Sequence, residues 1–302
     1  MGKRLFKVLT AVAALALTAY LVPKKNPEAS QRPVPLGESL SYLSEKSGEN
    51  SEPIPLYYYR PSAFDETRPV VIAFHGFGRK GEEFRKELES FADENNIMIV
   101  CPEFSKKKYP GARCYQEGNV SDKDGTGGHI HPKDEWIFSA ADRIVEEVKR
   151  RVMMKGKIIV FGHSAGGQFL QRRSLLSGPA KEDVTAIANA GWFTMIDRNV
   201  PYPYGIADIE ISDKELAKVF AKPLIFFVGS ADVKRDYPFR DTEEADAQGL
   251  TRKERGENYY RKSKEKAEEM KTPFRWKLET VDGAAHEEVK MAKAAIRYIL
   301  NQ

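Results

Sequence analysis

Cysteine is scarce in this chain: its 302 residues hold two, Cys101 and Cys114. A framework of several disulfides is excluded. One bridge bracing a loop beside a sheet edge, or two free thiols, is what remains. Neither sulfur has a thiolate-stabilising partner near it in sequence, so thiol catalysis is not indicated. An excess of one charge is also lacking. The formal net charge is +4, but Lys3, Arg4, Lys7, Lys24 and Lys25 lie in the first 25 residues, which contain no acid; without those five the remainder carries −1. No basic surface for nucleic acid is implied. The one extended apolar stretch, Val8 to Val22, falls short of the ~20 residues a spanning helix needs.

That stretch reads better as an address. Lys3-Arg4-Leu-Phe-Lys7 is a positive n-region before an apolar h-region. Ala14-Leu-Ala16 offers a small-x-small cleavage site, whereas Pro23-Lys24-Lys25 suits an uncleaved anchor equally well. No cysteine follows the run, which leaves no lipoprotein anchor. The expectation is an exported protein, periplasmic or extracellular, or one tethered to the membrane through residues 1–22. Residues 23–50 are polar and rich in Pro, Ser, Glu and Asn, and read as a linker or loosely attached lead-in.

From residue 51 to 302 apolar runs alternate with amphipathic stretches. Strands are expected at 54–60, 70–74, 97–101, 157–161, 184–189, 224–228 and 274–281, and helices at 81–95, 136–152 and 291–300. Continuous β-branched runs imply strands covered on both faces, hence a mostly parallel, twisted sheet with helices on each side. No internal repeat is visible.

The most informative segment is Lys157-Ile-Ile-Val-Phe-Gly-His-Ser-Ala-Gly-Gly167. A strand runs into a Gly-x-Ser-x-Gly turn and then a helix-compatible stretch. That context puts Ser164 on a sharp, strained corner with its hydroxyl pushed out of the sheet. Glycines at 162 and 166 are needed because side chains there would strike the adjoining strand or helix. The helix N-terminus directs free N–H groups at a developing oxyanion.

A serine nucleophile also needs a base, an orienting acid and oxyanion donors. Leu224-Ile-Phe-Phe-Val-Gly-Ser-Ala-Asp232 ends a strand in an aspartate, and Val281-Asp-Gly-Ala-Ala-His286 follows the last strand. Both fall at the sheet edge that carries Ser164, where open α/β folds bind ligands. His286 is the candidate base and Asp232 its orienter, ahead of Asp236 and Asp282. The oxyanion donors are expected to be the amides of Ala165 and Phe77, the latter in the His75-Gly-Phe-Gly78 loop. His75 is read as holding that loop and His163 as packing under the elbow. His129-Ile-His131 lies in a glycine loop with no clustered acids or cysteines, so no metal and no organic cofactor is implied.

With these residues in place, the chain resembles the α/β-hydrolase superfamily over roughly residues 51–302. The elbow Gly162-His-Ser-Ala-Gly166, the His75-Gly76 loop and the order Ser164, Asp232, His286 carry the match. A narrower likeness is to bacterial hydrolases described as polyhydroxybutyrate depolymerase-like or feruloyl-esterase-like. It rests on Gly162-His-Ser-Ala-Gly-Gly-Gln-Phe169, Ala188-Asn-Ala-Gly-Trp192, Pro203-Tyr-Gly205 and Gln248-Gly-Leu-Thr-Arg252-Lys-Glu-Arg-Gly256. The resemblance implies a serine esterase with the Ser164/Asp232/His286 triad, acting on a small-molecule or polymer ester through an acyl-enzyme. In that group Trp192, Phe193, Tyr202 and Tyr204 belong to wall segments that would line a substrate pocket. Arg252 and Arg255 are salt-bridged or solvated residues that could instead meet a substrate carboxylate. Tyr115 and Asn119 are placed at the rim. A peptidase or amidase on the same triad, and a non-catalytic envelope protein keeping the fold, are the rival readings.

Overall fold

A computed structural model describes residues 33–178 and 180–302; the segment expected to act as export signal or anchor, residues 1–22, lies outside them. Eight strands form one sheet: β1 (Gly37–Leu43), β2 (Ile54–Arg60), β3 (Val70–Phe74), β4 (Met98–Pro102), β5 (Ile158–His163), β6 (Val184–Ala188), β7 (Leu224–Gly229) and β8 (Lys277–Val281). Their spatial order is β1-β2-β4-β3-β5-β6-β7-β8. The pairs β1/β2 and β2/β4 are antiparallel and the rest parallel.

Among the described residues, eight α-helices accompany it: α1 (Gly81–Glu87), α2 (Glu89–Asn95), α3 (Phe138–Val152), α4 (Ala165–Leu176), α5 (Asp213–Phe220), α6 (Glu243–Asp246), α7 (Arg252–Glu269) and α8 (Glu288–Leu300). Alternate residues of β3 show how the two layers divide. Val70, Ile72 and Phe74 face a core that includes Ile144 and Val148 of α3, Phe169 and Leu170 of α4 and Tyr259 of α7. Val71 and Ala73 face the other, with Phe84 of α1, Phe91 of α2 and Met291 and Ile296 of α8. Burying each of these larger side chains contributes about 1.5–3 kcal/mol before chain entropy is counted.

Two departures from the sequence reading have simple causes. The polar linker expected over 23–50 gives way, at 37–43, to edge strand β1, in register with β2 from Gly37 opposite Arg60 to Leu43 opposite Ile54. The strand alternates half-buried and exposed residues: Ser39 and Ser41 lie on the half-buried face and Glu38, Leu40 and Tyr42 on the exposed one, so its composition is close to that of a linker. Glu45, just beyond it, accepts two hydrogen bonds from Arg143 at 2.6 and 2.7 Å, tying this segment to α3. The single helix expected at 81–95 is broken at Leu88 into α1 and α2. Among the described residues, no helix is long and apolar enough to cross a membrane.

Parallel pairing brings the carboxyl ends of β3, β5, β6, β7 and β8 to one edge, where Ser164, Asp232 and His286 gather. The crossing of β5 and α4 depends on glycine. A Cβ on Gly162 would lie 2.5 Å from the carbonyl oxygen of Gly166, and one on Gly166 would lie 2.4 Å from that of Phe74. Both are backbone contacts that no rotamer change relieves. Gly166→Ala is therefore expected to cost on the order of 1–3 kcal/mol as an overpacked site and to lower the thermal midpoint by several degrees. A midpoint equal to wild type in calorimetry would contradict this packing.

Candidate active site

Ser164 joins β5 to α4 and sits at φ 52°, ψ −112°, a backbone region that an L-residue enters only under constraint. Its amide is held by the Ala188 carbonyl of β6 at 3.0 Å, and its own carbonyl accepts the Gln168 amide of α4. The hydroxyl is thereby aimed at the histidine that follows β8. Ser164 Oγ lies 2.9 Å from His286 Nε2, and His286 Nδ1 lies 2.8 Å from Asp232 Oδ2. With a carboxylate on the Nδ1 side, the imidazole carries its proton there and presents a bare Nε2 to the serine.

Asp232 follows β7 and is 1 % exposed. Asp236 is largely exposed and Asp282 accepts a hydrogen bond from the Ser230 hydroxyl at 3.2 Å, so neither rival acid takes the Nδ1 position. Arg252, read from sequence as salt-bridged or solvated and otherwise as a contact for a substrate carboxylate, and Asn189, given no role there, complete the frame. Arg252, fully enclosed, approaches Asp232 Oδ1 and Asp236 Oδ1 at 3.4 Å each and donates to the carbonyls of Lys234 and Asp236. It is spent inside the protein and does not face a substrate. Arg255 is likewise consumed, donating to Gly249 and Gly191 carbonyls and to Asp246. Asn189, at φ 42°, accepts the Gly229 amide at 2.8 Å and donates to the Ala285 carbonyl at 2.9 Å. It thus fastens the end of β7 to the loop that carries His286. Its position directly after a strand, before a glycine-containing turn, was the available signal.

The loop after β3 passes beside the serine. A Cβ on Gly76 would be 3.5 Å from Ser164 Cβ and 3.3 Å from Glu288 Oε1, so the loop backbone lies close to both side chains. Gly76 donates its amide to Glu288 Oε1 at 2.6 Å. Among the described residues the Phe77 amide meets no acceptor; Ala165, as the first residue of α4, has an amide with no partner within the helix. These two N–H groups are free to receive negative charge. Phe77 is half-buried and meets exposed Tyr237 edge-on, with centroids 6.3 Å apart, while Lys106 Nζ stands 5.3 Å from the Phe77 ring.

His75 holds the loop from beneath. It accepts the Phe104 amide at Nε2 (3.0 Å), and its Nδ1 is 3.0 Å from the Gly76 carbonyl. Burial, then the Arg79 charge, lowers its pKa to about 3. His163 is buried with its ring 4.6 Å from that of His286. Burial, with His286 next, keeps its pKa well below the usual histidine value.

The four aromatic residues expected to line a substrate pocket are instead enclosed. Trp192 has the Arg172 and Arg240 guanidinium groups over its ring at 4.1 and 5.1 Å. Phe193 stacks on Tyr259 with centroids 4.5 Å apart, and the Tyr202 hydroxyl donates to the Glu117 carbonyl. Tyr204 is buried as well, beside a cavity of about 360 Å³ that Met195, Val200 and Lys262 also line. Bulky aromatics between a sheet edge and a long helix are drawn into the core by their area. Tyr115 is buried under Arg79 and donates to the His75 carbonyl, and Asn119 holds a left-handed turn; neither forms a rim. Both cysteines are free and buried, so no disulfide forms. His131 Nδ1 lies 3.0 Å from the Asn119 carbonyl.

No family model matches the chain. It is similar to poly(aspartic acid) hydrolase-1 from Sphingomonas sp. KT-1, at 30% identity over 88% of this chain and 100% of that one, with a TM-score of 0.81. It is also similar to LpqC, a poly(3-hydroxybutyrate) depolymerase from Bordetella parapertussis, at 26% identity over 89% of this chain and 92% of that one, with a TM-score of 0.79. A shorter likeness, 32% identity over 69 residues, is to feruloyl esterase B of Thermothelomyces thermophilus and covers 22% of this chain and 23% of that protein. The chain belongs to the α/β-hydrolase superfamily. Its relatives at this level of similarity are hydrolases.

The buried neutral histidines make acid stability a check on this site. Below the unfolded histidine pKa of roughly 6.5, the unfolded chain binds a proton that folded His75, at about 3, refuses. His75's contribution to stability is complete above that pH and declines as pH falls toward 3, by roughly 1.4 kcal/mol per unit. His163 acts in the same direction. Urea midpoints measured from pH 7 to 4.5 are expected to fall, with a shallower slope in His75→Gln. Equal slopes would show that His75 is not buried as a neutral ring.

Proposed function

We propose that this protein is a serine hydrolase that cleaves carboxylic esters through an acyl-enzyme. The observation that carries the reading is the unbroken relay from the Ser164 hydroxyl through His286 to buried Asp232, with spacings of 2.9 and 2.8 Å. Ser164 Oγ attacks the substrate carbonyl while His286 Nε2 takes its proton. Asp232 holds the tautomer and offsets the imidazolium charge, and the Phe77 and Ala165 amides receive the oxyanion. The imidazolium then gives its proton to the departing alkoxide. Water, deprotonated by the same nitrogen, releases the acid and frees the serine. The ester reading draws on the likeness to a poly(3-hydroxybutyrate) depolymerase. The substrate is a small-molecule or polymer ester, no cofactor takes part, and nucleic acid is not a partner.

One observation favours a second reading. The relative that shares 30% identity is a poly(aspartic acid) hydrolase, and poly(aspartic acid) is joined by amides. The same triad serves an amide if His286 protonates the leaving nitrogen before it departs.

Ser164→Ala is expected to lower turnover by about 10⁶ and to abolish covalent labelling by a fluorophosphonate. Labelling of wild type but not of the variant supports the assignment; equal hydrolysis by both refutes it. A wild type that folds but neither labels nor hydrolyses p-nitrophenyl esters would point to a non-catalytic role. Turnover on matched esters and anilides of one acyl group separates the two readings.

Export is proposed from the cationic and apolar character of the first 25 residues. A tagged chain is expected outside the cytoplasm on fractionation, and one lacking residues 1–22 inside it. Recovery of both in the cytoplasm would overturn the proposal.

A further inference from the structure

Glu288 stands two residues beyond the histidine, in the first turn of α8, yet its bonds run to the opposite side of the site. Its Oε1 accepts the Gly76 amide at 2.6 Å across 212 residues of sequence. The same oxygen lies 3.9 Å from His163 Nδ1, beneath the elbow, and 3.3 Å from where a Gly76 Cβ would be. Gly76 directly precedes Phe77, whose free amide is the candidate oxyanion donor. One short side chain thus spans the segment that carries the base and the loop that carries the donor.

We infer that Glu288 is a positioning residue that fixes the oxyanion loop relative to His286 by capturing the Gly76 amide. The inference rests on the serine-hydrolase reading of the site. Glu288 touches no reacting atom; it acts through the Gly76 and Phe77 backbone. By taking the Gly76 N–H it removes the neighbouring donor from competition and orients the Phe77 N–H toward the serine. Rotation of that peptide would misaim the donor, and one lost oxyanion donor costs about 10²–10³ in turnover.

The surroundings give this hydrogen bond a pH dependence. Burial raises the Glu288 pKa to about 7, against the lowering effect of the Gly76 amide, with Glu87 and Glu83 of α1 adding to the rise. His163 and His75 are neutral, Cys101 of β4 and Tyr115 have pKa values pushed up by burial, and Glu287 and Lys290 pair with each other on the outer side. His286 is the remaining titratable neighbour, 4.6 Å ring to ring from His163. An ionised carboxylate holds an N–H more strongly than a protonated one. The loop is therefore held best above about pH 7 and loosens as pH falls through it.

The test compares wild type, Glu288→Ala and Glu288→Gln with a p-nitrophenyl ester, after thermal unfolding has shown that all three fold. Glu288→Ala is expected to lose about 10- to 100-fold in kcat with KM changed less than threefold. Glu288→Gln keeps an acceptor oxygen for Gly76 and is expected to recover to within about fivefold of wild type. Between pH 5.5 and 8.5 the wild-type kcat rise should be steeper than one proton allows, and that of Glu288→Gln should fit a single proton. Turnover within twofold of wild type in Glu288→Ala, or equal steepness in wild type and Glu288→Gln, overturns the inference and leaves the triad standing. Activity that survives Ser164→Ala overturns both.

Discussion

The corner at Ser164 is the constraint on which the rest of the site depends. An L-residue at φ 52° and ψ −112° is unfavourable by about 1–3 kcal/mol, so neighbouring contacts must hold it there. They are backbone contacts. The Ser164 amide binds the β6 carbonyl of Ala188, and Gly166 brings α4 directly against the carbonyl oxygens of Phe74 and His75. The last of these contacts matters twice. The atoms that pin the start of α4 are also the start of the loop that bears the free Phe77 amide. Ser164 and one of the candidate oxyanion donors beside it are thus set by a single helix-to-strand contact.

The candidate base and acid reach the same edge by a different device. His286 and Asp232 follow neighbouring parallel strands, and their loops are sewn together above the sheet by Asn189, which accepts from the Gly229 amide and donates to the Ala285 carbonyl. Asp232 is buried, and a carboxylate there is costly unless its charge is shared. Its two oxygens divide the work, Oδ2 toward His286 and Oδ1 toward Arg252. Because Arg252 also serves two backbone carbonyls, it does not neutralise the aspartate by a tight bidentate pair. It leaves charge available to stabilise an imidazolium.

The parts of this arrangement that were legible in sequence share one property: the residue type is dictated by backbone geometry. Gly162 and Gly166 announce the tight crossing, and apolar runs ending in Asp232 and before His286 announce strand ends. What remained hidden depends on contacts between segments distant in the chain. β1 is half exposed and carries serines, so its pairing with β2 leaves no compositional trace. Arg252 and Arg255 sit at helical spacing in a highly charged stretch, and nothing local marks them as the inward face of α7. The four aromatic residues were visible as aromatics, but whether a ring lines a cleft or fills a core depends on what covers it. Here the covers are Arg172, Arg240 and Tyr259.

That enclosure moves the question of specificity to the mouth of the site. Trp192, Phe193 and Tyr202 cannot meet a substrate without opening the core, and displacing any of them would forfeit several kcal/mol of buried area. On the loops around this edge, the Phe77 ring, exposed Tyr237 against its edge and the Lys106 ammonium over its face still reach solvent. All lie on loops after β3, β4 and β7, not on the sheet. A rim of two rings and one cation offers an apolar surface with a single positive charge. Exchange of these three loop residues would change that surface without disturbing the strained corner at Ser164.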